Sequence, residues 1–116
     1  MIPYERLIHS YVHQGRIGVL VELAAETDFA TRSAEFNAFA HDLALHIAAS
    51  SPRAMAELLA QPFVKDSTID IAQLRSQLAA KLREKVEVVR FIRWEVGESE
   101  ADEPEPPKPP AVANRA

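Results

Sequence analysis

The chain has 116 residues, no cysteine and a formal net charge of -4. Its length predicts one domain, and its acidic balance argues against a nucleic-acid binder held by phosphate contacts. The absence of cysteine excludes disulfides, a thiolate zinc site and a cysteine nucleophile, and no apolar run approaches the ~20 residues of a membrane span.

The first predicted element is a β-hairpin that turns at Gln14 and Gly15. β-like runs at residues 7–12 and 17–23 flank this pair, and a two-residue turn with Gly second is a strong hairpin signal. Counting outward gives the facing pairs Val12 and Ile17, Ser10 and Val19, and Ile8 and Val21. We expect these residues in the core and Leu7, His9 and Tyr11 on the other face, where the Tyr11 ring would cover Gly18.

A short acidic and aromatic loop follows the hairpin at residues 26–29, Glu-Thr-Asp-Phe. The strand holds it on one side, and a helical pattern that opens at Ser33 holds it on the other. A carboxylate beside an exposed aromatic ring suits insertion into a partner protein better than chemistry on a small substrate. From the residues alone, an alternative stays open: Thr27 or Asp28 caps a turn ahead of the helix, and Phe29 folds back onto the core.

Two main helices are predicted next, each with a capping signal. Ser33 is a plausible N-cap, and Pro52 predicts that the first helix ends near Ser50 and Ser51. Its apolar stripe is Phe36, Phe39, Ala40, Leu43 and Ile47. Asp70 and Gln73 fit a capping box at the start of the second helix, whose stripe is Ile71, Leu74, Leu78 and Leu82. Between them we expect a short helix at residues 52–60, with Pro52 in its first turn, and an extended connection at 61–66.

The last predicted strand covers residues 86–96. Alternation places five apolar residues on one face, namely Val86, Val88, Ile92, Trp94 and Val96. Arg90 interrupts that face, and we expect Arg90 and Arg93 to be cross-strand charge partners. Residues 98–116 are rich in Pro and Glu and predict a disordered tail, which leaves residues 1–97 as the domain. The fold class is therefore α+β, with an antiparallel three-stranded sheet, made of the N-terminal hairpin and the C-terminal strand, packed by two main helices.

The sequence offers little for catalysis or metal binding. His41 and His46 lie about 140° apart around a helix, and His9 and His13 lie about 13 Å apart along a strand. The run GRIG at residues 15–18 lacks the spacing, the Lys and the following helix of a phosphate loop. We therefore predict no catalytic residue, no metal, no cofactor and no enzyme activity. No secretory signal is visible at the start, so we expect a cytoplasmic location.

Four stretches of the chain resemble the elongation factor Ts family, the guanine-nucleotide exchange factors of elongation factor Tu. They are LIHSYVHQGRIGVLVELAAETDF, SAEFNAFAHDLALHIAASSP, LLAQPFVKDSTIDIAQLRSQLAAKL and VEVVRFIRWEVGE, and they cover nearly all of residues 7–98. The hairpin with its TDF loop and the LLAQPFVKD run are the specific ones. The resemblance implies an α+β dimerisation-type module that takes part in translation elongation.

The resemblance also implies a partner and a site. In the family the TDF loop enters the GTP-binding domain of elongation factor Tu and disturbs the region of the magnesium ion and phosphates, so that GDP leaves. Carried over by position, the partner-binding residues are Thr27, Asp28 and Phe29.

The chain departs from the family pattern in several places. From the resemblance we expect it to lack the usual N-terminal ubiquitin-associated-like domain, which a separate chain could carry, and the usual helical stretch before the QPF run. Ala24 and Ala25 replace the family's Asn-Cys pair, and Ala30 replaces a valine. The alternative function is an interaction or dimerisation module without exchange activity, which binds elongation factor Tu or itself as a homodimer.

Overall fold

The computed structural model of the chain describes residues 4–98. Within them the elements are, in chain order, β1 (Glu5–His13), β2 (Ile17–Ala25), α1 (Asp28–Thr31), α2 (Ala34–Ser50), α3 (Met55–Ala60), β3 (Pro62–Phe63), β4 (Asp66–Asp70), α4 (Ile71–Leu82) and β5 (Val86–Glu95). The three long strands form an antiparallel sheet in the order β1-β2-β5, and β3 pairs with β4. The predicted α+β fold is confirmed, and the predicted tail lies outside the described residues apart from Glu98.

The residues predicted to cap the two main helices form capping hydrogen bonds. The Ser33 hydroxyl accepts a hydrogen bond from the Phe36 N–H, and Asp70 and Gln73 form a complete capping box. α2 ends at Ser50, as predicted. α3 starts later than predicted, because Pro52 precedes the helix and Ala54 is its N-cap. The predicted extended connection is a small hairpin, β3 and β4, whose second strand runs on to Asp70.

The core lies between one face of the long sheet and helices α2 and α4. Both predicted helical stripes face it. The whole α2 stripe is buried; in the α4 stripe Ile71 and Leu78 are buried, and Leu74 and Leu82 pack against them partly exposed. On the sheet, β2 contributes Val19, Val21 and Leu23. Burial of these side chains gives the sheet one inner face, towards the helices, and one outer face.

The hairpin register differs by one residue from the prediction. Gln14 and Gly15 form the tight turn, with φ of 55° and 70°, but Arg16 is an extra residue before β2, and its N–H donates to the His13 carbonyl at 2.9 Å. His13 therefore faces Ile17, Tyr11 faces Val19, and Val12 faces Gly18. The prediction that Ile8, Ser10 and Val12 lie in the core is wrong, because a one-residue shift reverses every side chain of the strand.

A β-bulge reverses the predicted face of β5. Glu22 pairs with Arg90 but Leu23 pairs with Val88, so Val89 is an extra residue. Before the bulge Val86 and Val88 are buried, whereas after it Ile92 and Trp94 point outward and are 45% and 72% exposed. The prediction that these residues share one face is wrong, because the extra residue exchanges the two sides of the strand.

The two arginines of β5 have different roles. Arg90 lies on the outer face and donates to Glu22 on β2 at 2.6 Å, which confirms it as a cross-strand charge partner. The hydrogen bonds from Arg90 and from Arg6 lower the pKa of Glu22. Arg93 points inward and donates twice to the Ala48 carbonyl in the last turn of α2, at 2.9 and 3.2 Å. The prediction of a cross-strand partner for Arg93 is wrong, because its nearest carboxylate is Glu95 on the same strand.

Candidate functional site: an exposed tip between β2 and α2

Residues 26–29, here called the tip, connect the end of β2 to helix α1. Thr27 is the N-cap of α1, and its hydroxyl oxygen accepts a hydrogen bond from the Ala30 N–H at 3.2 Å. Asp28 and Phe29 are the first two residues of the helix. The three predicted site residues are therefore consecutive positions of one capped helix start, so their relative geometry is set by the backbone of a single turn.

Phe29 is strongly exposed at the tip. It is 81% exposed, although it is a large apolar side chain. The alternative in which Phe29 folds back onto the core is wrong, whereas the capping role of Thr27 is present. The carboxylate of Asp28 is also exposed and has a long ion pair with Arg32 at 3.8 Å, a type of contact that contributes little in water. The tip thus presents a ring and a negative charge side by side to solvent.

The opposite side of α1 is anchored. Ala30 and Thr31 are buried, and the Thr31 hydroxyl donates to the Asp28 carbonyl at 3.1 Å. The Ser33 hydroxyl donates to the Ala30 carbonyl at 2.7 Å, and the Asn37 amide donates to the Thr31 carbonyl at 2.9 Å. Side chains at the start of α2 therefore donate hydrogen bonds to the carbonyl groups at the end of α1. One side of this short helix is fixed in this way, and Phe29 lies on its opposite, exposed side.

A second anchor comes from the other end of the chain. Glu84, which follows α4, accepts hydrogen bonds at one carboxylate oxygen from the N–H groups of Glu26 and Thr27, at 3.0 and 3.1 Å. Its other oxygen accepts from the Thr27 hydroxyl. The Glu26 carboxylate in turn accepts from the Lys85 N–H at 2.6 Å. We call these four hydrogen bonds the carboxylate clamp. Sequence reasoning missed it, because the partners are almost 60 positions apart and Glu84 belongs to no motif.

Comparison with known proteins identifies the family. The elongation factor Ts sequence model matches residues 2–57. Proteins named elongation factor Ts from Solibacter usitatus and Moorella thermoacetica are both 32% identical to the chain over 143 positions; the alignments cover 84% of the chain and 68% and 70% of those proteins. This chain belongs to the elongation factor Ts family. The protein of that name from Alkaliphilus oremlandii is 34% identical, and the chain spans 66% of its length.

Elongation factor Ts relatives contain residues that this chain lacks. The alignments extend over 142 or 143 positions, more than the 116 residues of the chain. In the structure α2 is followed by only Ser51, Pro52, Arg53 and Ala54 before α3 begins. From the family pattern we predict that the helical stretch missing from this chain belongs at this junction.

Two of the four histidines, His46 and His9, pack against other side chains. His46 is fully buried; its Nδ1 accepts from the Val64 N–H at 3.2 Å and its Nε2 donates to the Gln61 side chain at 2.8 Å, which assigns the proton to Nε2. Burial lowers the pKa of His46, against the opposing hydrogen bond with Gln61. His9 packs edge-on against His41, at 5.6 Å between ring centres.

Two features are absent from residues 4–98. No cluster of three or more His, Asp or Glu side chains in this part of the chain is arranged to hold a metal ion. None of the helices described for it combines the length and the apolar character needed to cross a membrane.

Proposed function

We propose that the chain binds elongation factor Tu and promotes release of GDP, with Thr27, Asp28 and Phe29 as the partner-binding residues. Membership of the elongation factor Ts family supports a role in translation elongation. The observation that carries the finer proposal is that Phe29 is 81% exposed on a helix start that is anchored from two sides. An exposed apolar ring on a rigid mount gains free energy when a partner covers it and needs little ordering to do so.

The exchange step follows from linkage. A protein that binds nucleotide-free elongation factor Tu more tightly than the GDP-bound form weakens GDP binding by the same factor. Covering the exposed part of Phe29 contributes roughly 1–2 kcal/mol, which corresponds to about a five- to thirtyfold shift in an equilibrium constant. The Asp28 carboxylate adds repulsion if it lies near the phosphates. The burial of Phe29 and the repulsion from Asp28 both act only in the complex of the chain with elongation factor Tu from which GDP is leaving.

The test is the release of a fluorescent GDP from purified elongation factor Tu after addition of the chain. Wild type is expected to accelerate release, and Phe29→Ala to reduce the acceleration about five- to thirtyfold. Asp28→Asn tests the charge without changing shape. Val64→Ala is the matched control, because Val64 is an exposed apolar residue in the β3–β4 turn. Equal release with and without wild-type chain, or equal rates for wild type and Phe29→Ala, would refute the proposal.

A second candidate function is self-pairing without exchange. The observation that favours it is the outer face of the long sheet, where Ile8 and Val12 are 59% and 63% exposed and Leu20, Ile92 and Trp94 are exposed beside them. A second copy would offer the same apolar face, and sheets pack face to face about 10 Å apart. Glu22 on this face is already paired with Arg6 and Arg90, so a second copy would cover no unpaired carboxylate there.

Light scattering at several concentrations tests this second candidate. A dimer that Leu20→Glu converts to a monomer would support it, and a wild-type chain that stays monomeric would refute it. The chain has a single tryptophan, so a blue shift of Trp94 emission on concentration would report coverage of the outer face. Capture of elongation factor Tu without faster GDP release would favour the variant of this candidate that binds the partner but leaves it closed.

A further inference from the structure

We propose that Glu84 is a positioning residue for the tip: its carboxylate sets the conformation of Glu26 and Thr27, and through them the direction in which Asp28 and Phe29 point. The kinetic part of this inference rests on the proposed function, whereas its structural part does not. Glu84 belongs to none of the motifs that identify the family resemblance, and it lies beyond the residues that the family model matches.

The clamp completes backbone hydrogen bonding where the sheet stops. Both ladders of β2 end at Ala25, which pairs with Glu5 on one side and Val86 on the other. The next two N–H groups, those of Glu26 and Thr27, have no strand opposite them, and the Glu84 carboxylate accepts both at 3.0 and 3.1 Å. A charged acceptor makes such bonds about twice as strong as a neutral one. Glu84 therefore replaces the missing strand at this point.

Glu84 is itself fixed by α4. Arg83 ends the helix in the left-handed conformation with φ of 60°, and the Glu84 N–H donates to the Ala79 carbonyl at 3.2 Å. The next residue closes the clamp from the other direction, because the Lys85 N–H donates to the Glu26 carboxylate at 2.6 Å. A rigid path thus leads from α4 through the clamp to the tip, parallel to the one that leads from α2 through Asn37.

The clamp acts on the tip through Thr27. The Thr27 hydroxyl donates to Glu84 while its oxygen accepts from the Ala30 N–H, so one side chain connects the carboxylate to the first turn of α1. Without the carboxylate, Thr27 loses both of its hydrogen bonds to Glu84 and keeps only those that it accepts from the Ala30 and Thr31 N–H groups inside α1. The start of α1 would then sample several directions, and a partner would have to order it before covering Phe29.

Amide hydrogen exchange tests the clamp without any partner. Glu84→Ala is expected to lower the protection of the Glu26 and Thr27 N–H groups about tenfold, while amides in the middle of α2 keep theirs. Glu84→Gln keeps one carbonyl oxygen and should lie between wild type and Glu84→Ala. Glu87→Gln is the matched control, because Glu87 is a nearby, partly exposed glutamate that pairs with Arg75 on α4 and not with the tip.

GDP release in a double-mutant cycle tests the consequence for function. Glu84→Ala is expected to lower the maximal release rate about tenfold, and to have no further effect in the Phe29→Ala background, because both changes act through the same tip. Unchanged protection at Glu26 and Thr27, or effects of the two substitutions that multiply independently, would overturn the inference. Lost protection in a chain that never accelerates GDP release supports the positioning role and overturns only the proposed exchange function.

Discussion

Lowering the pH should destabilise the domain through His46. The ring is fully buried, and its Nδ1 is the acceptor for the Val64 N–H. A proton on Nδ1 would remove that acceptor and place a charge in the core, which is why burial lowers the pKa of His46. The folded chain therefore binds fewer protons here than the unfolded chain, and the free energy of unfolding falls as the pH falls.

The size of the effect follows from the titration of an unfolded histidine near pH 6.5. If His46 stays neutral in the folded chain, the free energy of unfolding falls by about 1.4 kcal/mol between pH 7.5 and 5.5. The loss begins as the pH approaches 6.5 and stops once the lowered pKa of the folded state is passed. The pKa values of Glu22 and Asp66 are also lowered. The stability that these carboxylates contribute is lost only at more acidic pH, so it changes little between pH 7.5 and 5.5.

Urea unfolding at pH 7.5, 6.5 and 5.5, followed by circular dichroism, measures the effect. His46→Gln supplies one acceptor and one donor without a titrating group and should remove the part of the pH dependence that His46 causes. His9→Gln is the companion variant, because burial and the neighbouring His41 also lower the pKa of His9. An identical loss of stability between pH 7.5 and 5.5 in wild type and His46→Gln would refute the argument.

Three further predictions concern stability. Arg93→Met should lower the free energy of unfolding by about 2 kcal/mol in urea titrations, since it removes two charge-assisted bonds to Ala48; a loss below about 0.5 kcal/mol, the usual scatter of surface variants, would contradict this. Asp70→Ala should cost about 1 kcal/mol in thermal unfolding because it removes the cap of α4, and Asp70→Asn should restore most of it. Val12→Thr should change stability by less than about 0.5 kcal/mol, whereas Leu7→Thr should cost more than about 1 kcal/mol; the reverse order would favour the register predicted from sequence over the observed one.

The helices were predictable because their signals are local. Ser33 and Asp70 each act within three residues of their own position, and the apolar stripes follow the helical repeat. The strands were only half predictable for a related reason. Their positions follow from composition, but which face of a strand is buried depends on counting residues along it. One extra residue in each case, Arg16 in the hairpin turn and Val89 in β5, reversed the predicted face.

The candidate site was likewise predictable only in part. The resemblance to the family named Thr27, Asp28 and Phe29, and the structure places them together on one exposed helix start. The contribution of Glu84 could not be predicted, because a hydrogen bond between residues far apart in the chain leaves no periodic pattern in a single sequence. The same holds for the contact of Arg93 with Ala48 and for the role of His46 beside the β3–β4 hairpin.

By itself the sequence determined the family, the α+β class, both capped helices with the apolar stripes that face the core, and the residues of the tip, since each depends on a local pattern or a shared motif. The tertiary structure decided which face of β1 and β5 is buried, where the two arginines of β5 point, and what holds the tip in place. These features depend on strand register and on contacts between distant segments, and both are settled only when the sheet, the helices and the end of α4 pack together.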